Sequence, residues 1–234
     1  MGRGRGRGRG KASVTAAPVA SAVYPVSDVC YETVYDGVDD SNQSSDAGLK
    51  IAGAQTWCCE FYIDSSVGTG FCPVLSNING PSTAGLAIYS NANTVVLQKC
   101  TTDGAQVNIL KSGIGQLAQA TWYTCVGALD NTSMTFHIDA VSMTGTDGAG
   151  NQIIDTATTD FYIAGHKGSS FGDIKIRNVE IYSGKASNPT AWVPGNTGSL
   201  SGVSLVMQSK DGGSTIETSQ SFVESGDPTR QLCT

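Results

Sequence analysis

The feature that most constrains this chain is a two-residue alternation of apolar and polar side chains, repeatedly cut short by turn-forming residues. Trp57, Cys59, Phe61 and Ile63 fall on one side of an extended backbone, and Cys58, Glu60, Tyr62 and Asp64 on the other. Met134, Phe136, Ile138 and Ala140 alternate in the same way with Thr135, His137 and Asp139. Successive side chains of a strand point to opposite faces, so such a pattern buries one face and turns the other to solvent. Shorter apolar runs at 86–88, 94–97, 107–110, 123–129 and 160–163, bounded by Gly, Asn, Asp and Ser, predict further strands. Over 174–182 the apolar parity slips from Ile174 and Ile176 to Val179 and Ile181, which predicts a β-bulge near Arg177 and Asn178. Turn signals stand at Asn79-Gly80, Asp103-Gly104, Asp147-Gly148 and Asp211-Gly212. Residues 188–198, with Pro189 and Pro194, read as a long crossing loop, after which Val203, Leu205 and Met207 supply a late strand. Sustained helical spacing is absent. Many strands with a late return to the sheet predict an all-β fold, a two-sheet antiparallel sandwich.

Composition agrees with that prediction. Only 15% of the residues are charged while 39% are hydrophobic, and 29 glycines with 7 prolines supply turns at well below collagen-like levels. A helical bundle and a disordered chain are both excluded. No apolar run reaches the roughly 18 residues that a membrane-spanning helix needs, so no membrane partner is expected. The seven cysteines (Cys30, Cys58, Cys59, Cys72, Cys100, Cys125 and Cys233) are irregularly spaced and odd in number. They read as small buried hydrophobes kept reduced, not as a disulfide framework. No Cys-x-x-Cys pair exists and His137 and His166 are the only histidines, which argues against a thiolate metal site. The basic start is followed by no apolar stretch of secretory type, because Ser13, Thr15, Pro18 and Ser21 interrupt it. The sequons at Asn42 and Asn131 are discounted on that expectation.

Charge divides the chain in two. Residues 1–27 carry Arg3, Arg5, Arg7, Arg9 and Lys11 with no acid, a net of +5 against −6 for the whole chain, which leaves −11 on the remainder. Alternating glycine and like charges keep residues 1–11 from folding alone, and the Ala, Ser, Val and Pro of 12–27 read as a tether. The expected organisation is therefore a disordered Arg/Gly-rich arm and tether over 1–27 and a β-sandwich domain over 28–234. Arginine offers bidentate geometry to phosphate, so the arm is the candidate nucleic-acid-binding segment. It contains no interleaved aromatic residue, and no base stacking or sequence readout is expected. A solvated tail, a localisation signal or a methylation substrate are the competing readings.

Segments 34–40, 54–63, 121–140 and 171–182, in that order, resemble the laminin G-like branch of the concanavalin A-like jelly-roll family. Val34-Tyr35-Asp36-Gly37-Val38-Asp39-Asp40 resembles the family's entry motif, and 54–63 (Ala-Gln-Thr-Trp-Cys-Cys-Glu-Phe-Tyr-Ile) its Trp-containing strand, with Phe61 near the usual Trp position. Thr121-Trp122-Tyr123 and Phe136-His137-Ile138-Asp139-Ala140 are similar to a following strand pair, with Ala140 in place of a glycine. Residues 171–182, Phe-Gly-Asp-Ile-Lys-Ile-Arg-Asn-Val-Glu-Ile-Tyr, resemble its closing strand. The resemblance covers about 30–186 and implies the jelly-roll fold. The family spans lectins, adhesion modules, enzyme accessory domains and structural proteins, so it does not by itself name a function.

Each candidate site has a plainer competitor. Asp36, Asp39 and Asp40 are carboxylates of the kind calcium takes, and the resemblance implies that Asp39, Asp40 and Asp173 are the candidate ligands of a structural calcium, the one cofactor considered. Turn chemistry, with Asp capping its own backbone, explains the same residues. His137 and Asp139 lie two apart on one strand face, but nothing supplies a nucleophile, and Glu60 with Asp64 does not reproduce the paired-carboxylate strand of glycoside hydrolases. They read as a solvent-facing pair, and a non-enzyme is expected. Trp57, Trp122, Tyr123, Phe61 and Phe136 include candidates for a sugar-stacking platform, although strand aromatics mostly pack in cores.

The whole layout resembles small viral coat proteins. In that reading, a structural capsid protein self-assembles into a homo-oligomeric shell through its sandwich and binds the packaged genome non-specifically through the arm. It resides in the virion after assembly in the host cytoplasm or nucleus. The alternative is a carbohydrate- or surface-binding laminin G-like module, such as a virion spike or an adhesin, with a glycan as its partner. A third is a cellular RNA-associated protein with a methylated arm.

Overall fold

The computed structural model describes residues 31–63, 71–78, 83–91, 94–100, 106–110, 118, 120–130, 133–143, 157, 159–166, 170–191, 203–207, 223–226 and 228–232. The arm, Cys30, Cys233, Asp64, Asn131 and the Gly-containing turn signals lie outside them. In chain order the strands are β1 (Tyr31–Asp36), β2 (Ser41–Ser44), β3 (Gln55–Ile63), β4 (Phe71–Ser76), β5 (Gly85–Asn91) and β6 (Thr94–Cys100). There follow β7 (Gln106–Leu110), β8 (Thr121–Leu129), β9 (Met134–Ile138), β10 (Val141–Ser142), β11 (Phe161–Ile163) and β12 (Gly165–His166). The last are β13 (Ser170–Phe171), β14 (Asp173–Ser183), β15 (Val203–Met207), β16 (Val223–Ser225) and β17 (Thr229–Leu232). Two short 3-10 helices, Ala47–Leu49 and Pro189–Ala191, are the helical elements among the described residues, and no helix there is long and apolar enough to cross a membrane.

The strands form the two-sheet antiparallel jelly-roll sandwich. The first sheet runs β10-β9-β8-β3-β14-β1-β17, with β15 also pairing β14. The second runs β16-β2-β11-β4-β5-β6-β7, and β12 and β13 form a small hairpin. Between the sheets lies one core in which Trp57, Cys59, Phe61 and Ile63 of β3 meet Cys125 and Leu129 of β8. Ile174, Ile176, Val179 and Ile181 of β14 join them, and Trp57 meets Phe161 edge to face at 5.4 Å. Each large side chain removed from water in this way contributes about 1.5–3 kcal/mol. Alternation thus orders β3 as the sequence predicts, with Cys58, Glu60 and Tyr62 on the opposite, outer face.

The closing strand needs its bulge. Arg177 pairs with Glu60 and Glu180 with Cys58, so Asn178 and Val179 oppose the single residue Cys59. Asn178 sits at φ 53°, in the left-handed region that Asn tolerates better than most residues. The slip returns Val179 and Ile181 to the core after Ile176. Its free edge is shared: β1 pairs with Asp173 through Ile176, and β15 with Val179 through Tyr182.

One expectation needs correction. The alternation at 134–140 ends earlier than its pattern, because Asp139 (φ 48°) and Ala140 (φ 62°) are left-handed turn residues that reverse β9 into β10. Asn42 is fully buried and accepts a hydrogen bond from the Tyr35 hydroxyl at 2.5 Å, so that sequon is closed in the folded chain. The five described cysteines are all buried free thiols.

Candidate functional site on the outer face of the first sheet

The parity that sends Trp57 and Phe61 inward sends Tyr62 and Glu60 outward, where the register sets them beside β8 and β14. Tyr62 pairs with Trp122 and with Lys175, and Glu60 with Thr124 and Arg177. The Tyr62 and Trp122 rings lie 5.7 Å apart, the Arg177 guanidinium stands 4.2 Å over the indole, and Lys175 Nζ stands 4.9 Å over the Tyr62 ring. Such cation–π contacts hold both planar groups upright on the sheet. Both cations are also neutralised. Arg177 Nε donates to Glu60 Oε2 at 2.9 Å, and Lys175 Nζ to Glu32 Oε1 at 3.0 Å. The bulge carries Asn178 to the same carboxylate, with Nδ2 2.6 Å from Glu60 Oε2.

Beside this ridge lies a pocket of about 170 Å³, formed by Thr124, Val126, His137, Asp139, Pro189 and Thr190, among others. Its far wall is the strap that leaves β14. The Thr56 hydroxyl donates to Gly184 O and accepts from Ala186 N, both at 2.8 Å, and Lys185 Nζ reaches Asp130 at 3.2 Å. The Thr190 hydroxyl then donates to Asn188 Oδ1 at 2.7 Å, and the 3-10 helix lies against β8 and β9. Pockets that enclose drug-sized ligands hold roughly 300–1,000 Å³, so this one admits a single ring-sized group. The strap also changes the reading of His137, which is buried at 8% exposure instead of facing solvent. Asp139 is exposed in the β9–β10 turn, its carboxylate accepting from Thr124 N at 2.8 Å. Beneath the strap the Tyr182 hydroxyl donates to the buried Glu180 carboxylate. Burial, and then the Glu180 charge, pushes the neighbouring Cys58 thiol well up, which makes it a poor nucleophile.

The acidic motif forms a second feature, at the corner where β1 turns into β2. Asp36, Asp39 and Asp40 bring a carboxylate oxygen each within 4.8 Å of one another, a donor set that suits a hard cation. They line a cleft of about 250 Å³ with Gly226 and Thr229. Turn chemistry is present as well: Asp36 Oδ1 accepts from Val38 N at 2.8 Å, and Asp40 Oδ2 from Asp36 N at 3.0 Å. Asp173 pairs opposite Asp36, but its Cβ packs against Gly37 and the carboxylate group does not include it.

Of the aromatic candidates, Trp57, Phe61 and Phe136 are fully buried and Tyr123 nearly so. Trp122 is the one on the outer face. The sequence reading missed Tyr62, Lys175, Arg177 and Asn178 as site residues. Strand parity places the first three opposite the core residues, and only the cross-strand register, shifted at the bulge, joins them to Trp122.

A laminin G-type family model, described as the concanavalin A-like lectin/glucanases superfamily, matches residues 36–190. No curated protein matches the chain by sequence. Among solved structures, a putative carbohydrate-binding protein from Bacteroides ovatus is 11% identical with a TM-score of 0.62, over 87% of this chain and 60% of that one. The ligand-binding domain of botulinum neurotoxin serotype D, in complex with N-acetylneuraminic acid, is 8% identical with a TM-score of 0.55, over 70% of this chain and 42% of that one. The chain thus spans 60% or less of these two structures, and at such identities the likeness is one of fold. Both neighbours are named for binding: one as a carbohydrate-binding protein, the other as a ligand-binding domain.

Proposed function

Because the chain belongs to the concanavalin A-like lectin/glucanases superfamily, we propose that it is a carbohydrate-binding module that uses the outer face of its first sheet. The observation that carries this reading is that the Trp122–Tyr62 ridge and the pocket of Thr124, Val126, His137, Asp139 and Thr190 share one face of β8, on which Trp122, Thr124 and Val126 follow one another at every second residue. A sugar ring has an apolar face and a rim of hydroxyls, and it needs an amphipathic aromatic surface beside fixed planar hydrogen-bonding groups. Arg177, Glu60 and Asn178 are such groups, and their mutual hydrogen bonds spare the ordering cost of binding. The likeness to a carbohydrate-binding protein and to a domain bound to N-acetylneuraminic acid supports carbohydrate as the ligand class, without distinguishing neutral from acidic sugars.

The test is a glycan array followed by calorimetry on the wild type and two variants. Trp122→Ala is expected to weaken binding about tenfold. Phe71→Ala, 39% exposed on the second sheet, is expected to leave it unchanged. Binding that ignores Trp122, or no glycan bound at all, would sink the reading.

The Arg-Gly arm supports a second reading, a coat protein whose arm binds genomic nucleic acid while its sandwiches associate. The comparisons favour the glycan-binding reading over it.

A further inference from the structure

Resting on that reading of the outer face, we infer that the site takes neutral sugars and discriminates against acidic ones such as sialylated or uronate-bearing glycans. The inference rests on charge pairing. An anionic sugar is recognised by a cation with charge to spare, and here neither cation of the ridge has it. Arg177 is compensated by Glu60, and Lys175 by Glu32, a carboxylate that is fully buried and also receives Gln231 Nε2 at 2.5 Å. Asp139 adds an exposed negative charge at the pocket beside them. These five ionised groups sum to −1, with His137 counted neutral, and residues outside the arm carry −11 in all. A carboxylate entering the pocket meets Asp139 and a negative field, and the cations nearest it among the described residues, Arg177, Lys175 and Lys185, are each already paired with a carboxylate.

Neutral hydroxyls meet the opposite situation. A guanidinium already balanced by a carboxylate still donates hydrogen bonds, and Glu60 and Asp139 accept them. The bulge fixes this balance, because it brings Asn178 and Arg177 to one oxygen of Glu60. The face is therefore one of dipoles and paired charges, suited to a ligand without net charge.

The probes are a neutral oligosaccharide from the array and its sialylated counterpart, titrated into the full-length protein. The neutral form is expected to bind about tenfold or more tightly than the acidic form. Its affinity should change less than about twofold between about 0.05 M and about 0.5 M salt, since no net charge is exchanged. Glu60→Gln leaves Arg177 uncompensated and is expected to lower the ratio of neutral to acidic affinity, the readout being that ratio and not either affinity alone. The salt titration of the wild type stands independently of how well that variant folds. Tighter binding of the acidic form, or a steep loss of affinity with salt, overturns the inference and leaves the glycan-binding reading standing. Failure of every glycan, neutral or acidic, to bind overturns both.

Discussion

At the residue scale, the outer surface of this sandwich is organised by ion pairs that are part-buried and geometrically fixed. Asp160 shows the principle away from the site. Burial opposes its ionisation, yet hydrogen bonds from Gln43 (2.7 Å) and Lys50 (3.1 Å), with the lysine's charge, hold its carboxyl below the usual value. A lowered native value means stabilisation that is complete above the unfolded carboxyl's pKa of about 3.9 and is lost as pH falls through the native value. Wild type should therefore melt above Asp160→Asn near neutrality, with the gap closing as pH drops toward about 3. A gap that stays constant in thermal melts over that range would contradict the assignment. Cysteine chemistry follows the same logic: burial, aided by the Asp173 charge, raises Cys72 to about 12, so its thiol is a packing group at neutral pH.

Among the elements, β14 does the most to position the site. It pairs with β3 from Ile174 to Ser183 except at the bulge, serves β1 and β15 in turn on its other edge, and carries Lys175, Arg177 and Asn178 outward. The bulge lets a single strand keep Ile174, Ile176, Val179 and Ile181 in the core while Asn178 reaches Glu60. Asn178→Val places a β-branched side chain at φ 53° and is expected to cost about 1–3 kcal/mol in denaturant unfolding. Asn178→Gly relieves the backbone and should retain the fold while weakening glycan binding, because Glu60 loses a donor. If valine were tolerated without loss, the left-handed bulge would not be a constraint on the fold.

For the whole molecule, the prediction concerns division of labour between arm and sandwich. Removing residues 1–11 takes away the five cations and should leave the melting temperature and the glycan affinity unchanged. Binding of single-stranded nucleic acid by the intact chain should show a log–log salt slope of about −3.5 and vanish with the arm. Light scattering with the ratio of absorbance at 260 nm to that at 280 nm then separates the two functional readings. Nucleic-acid-filled particles lost on deleting the arm would establish the coat protein, and monomers in both forms would exclude it. Much of the fold was legible in the chain itself. Alternation and short apolar runs, properties of neighbouring residues, marked β3, β5 to β9, β11, β14 and β15, the core face of β3 and β14 and even the bulge near Asn178, but not the entry strands β1 and β2, nor β4, β16 or β17. The four motifs in order determined the family. What the sequence left open was everything that depends on which strands become neighbours. Tyr62, Trp122, Lys175 and Arg177 come from three strands far apart in the chain, and only cross-strand register makes them one surface. His137 changed from an exposed to a covered residue for a similar reason, since a strap anchored by Thr56 and Lys185 crosses it. Parity assigns a side chain to a face, whereas its exposure and its partners depend on what else the tertiary fold lays over that face.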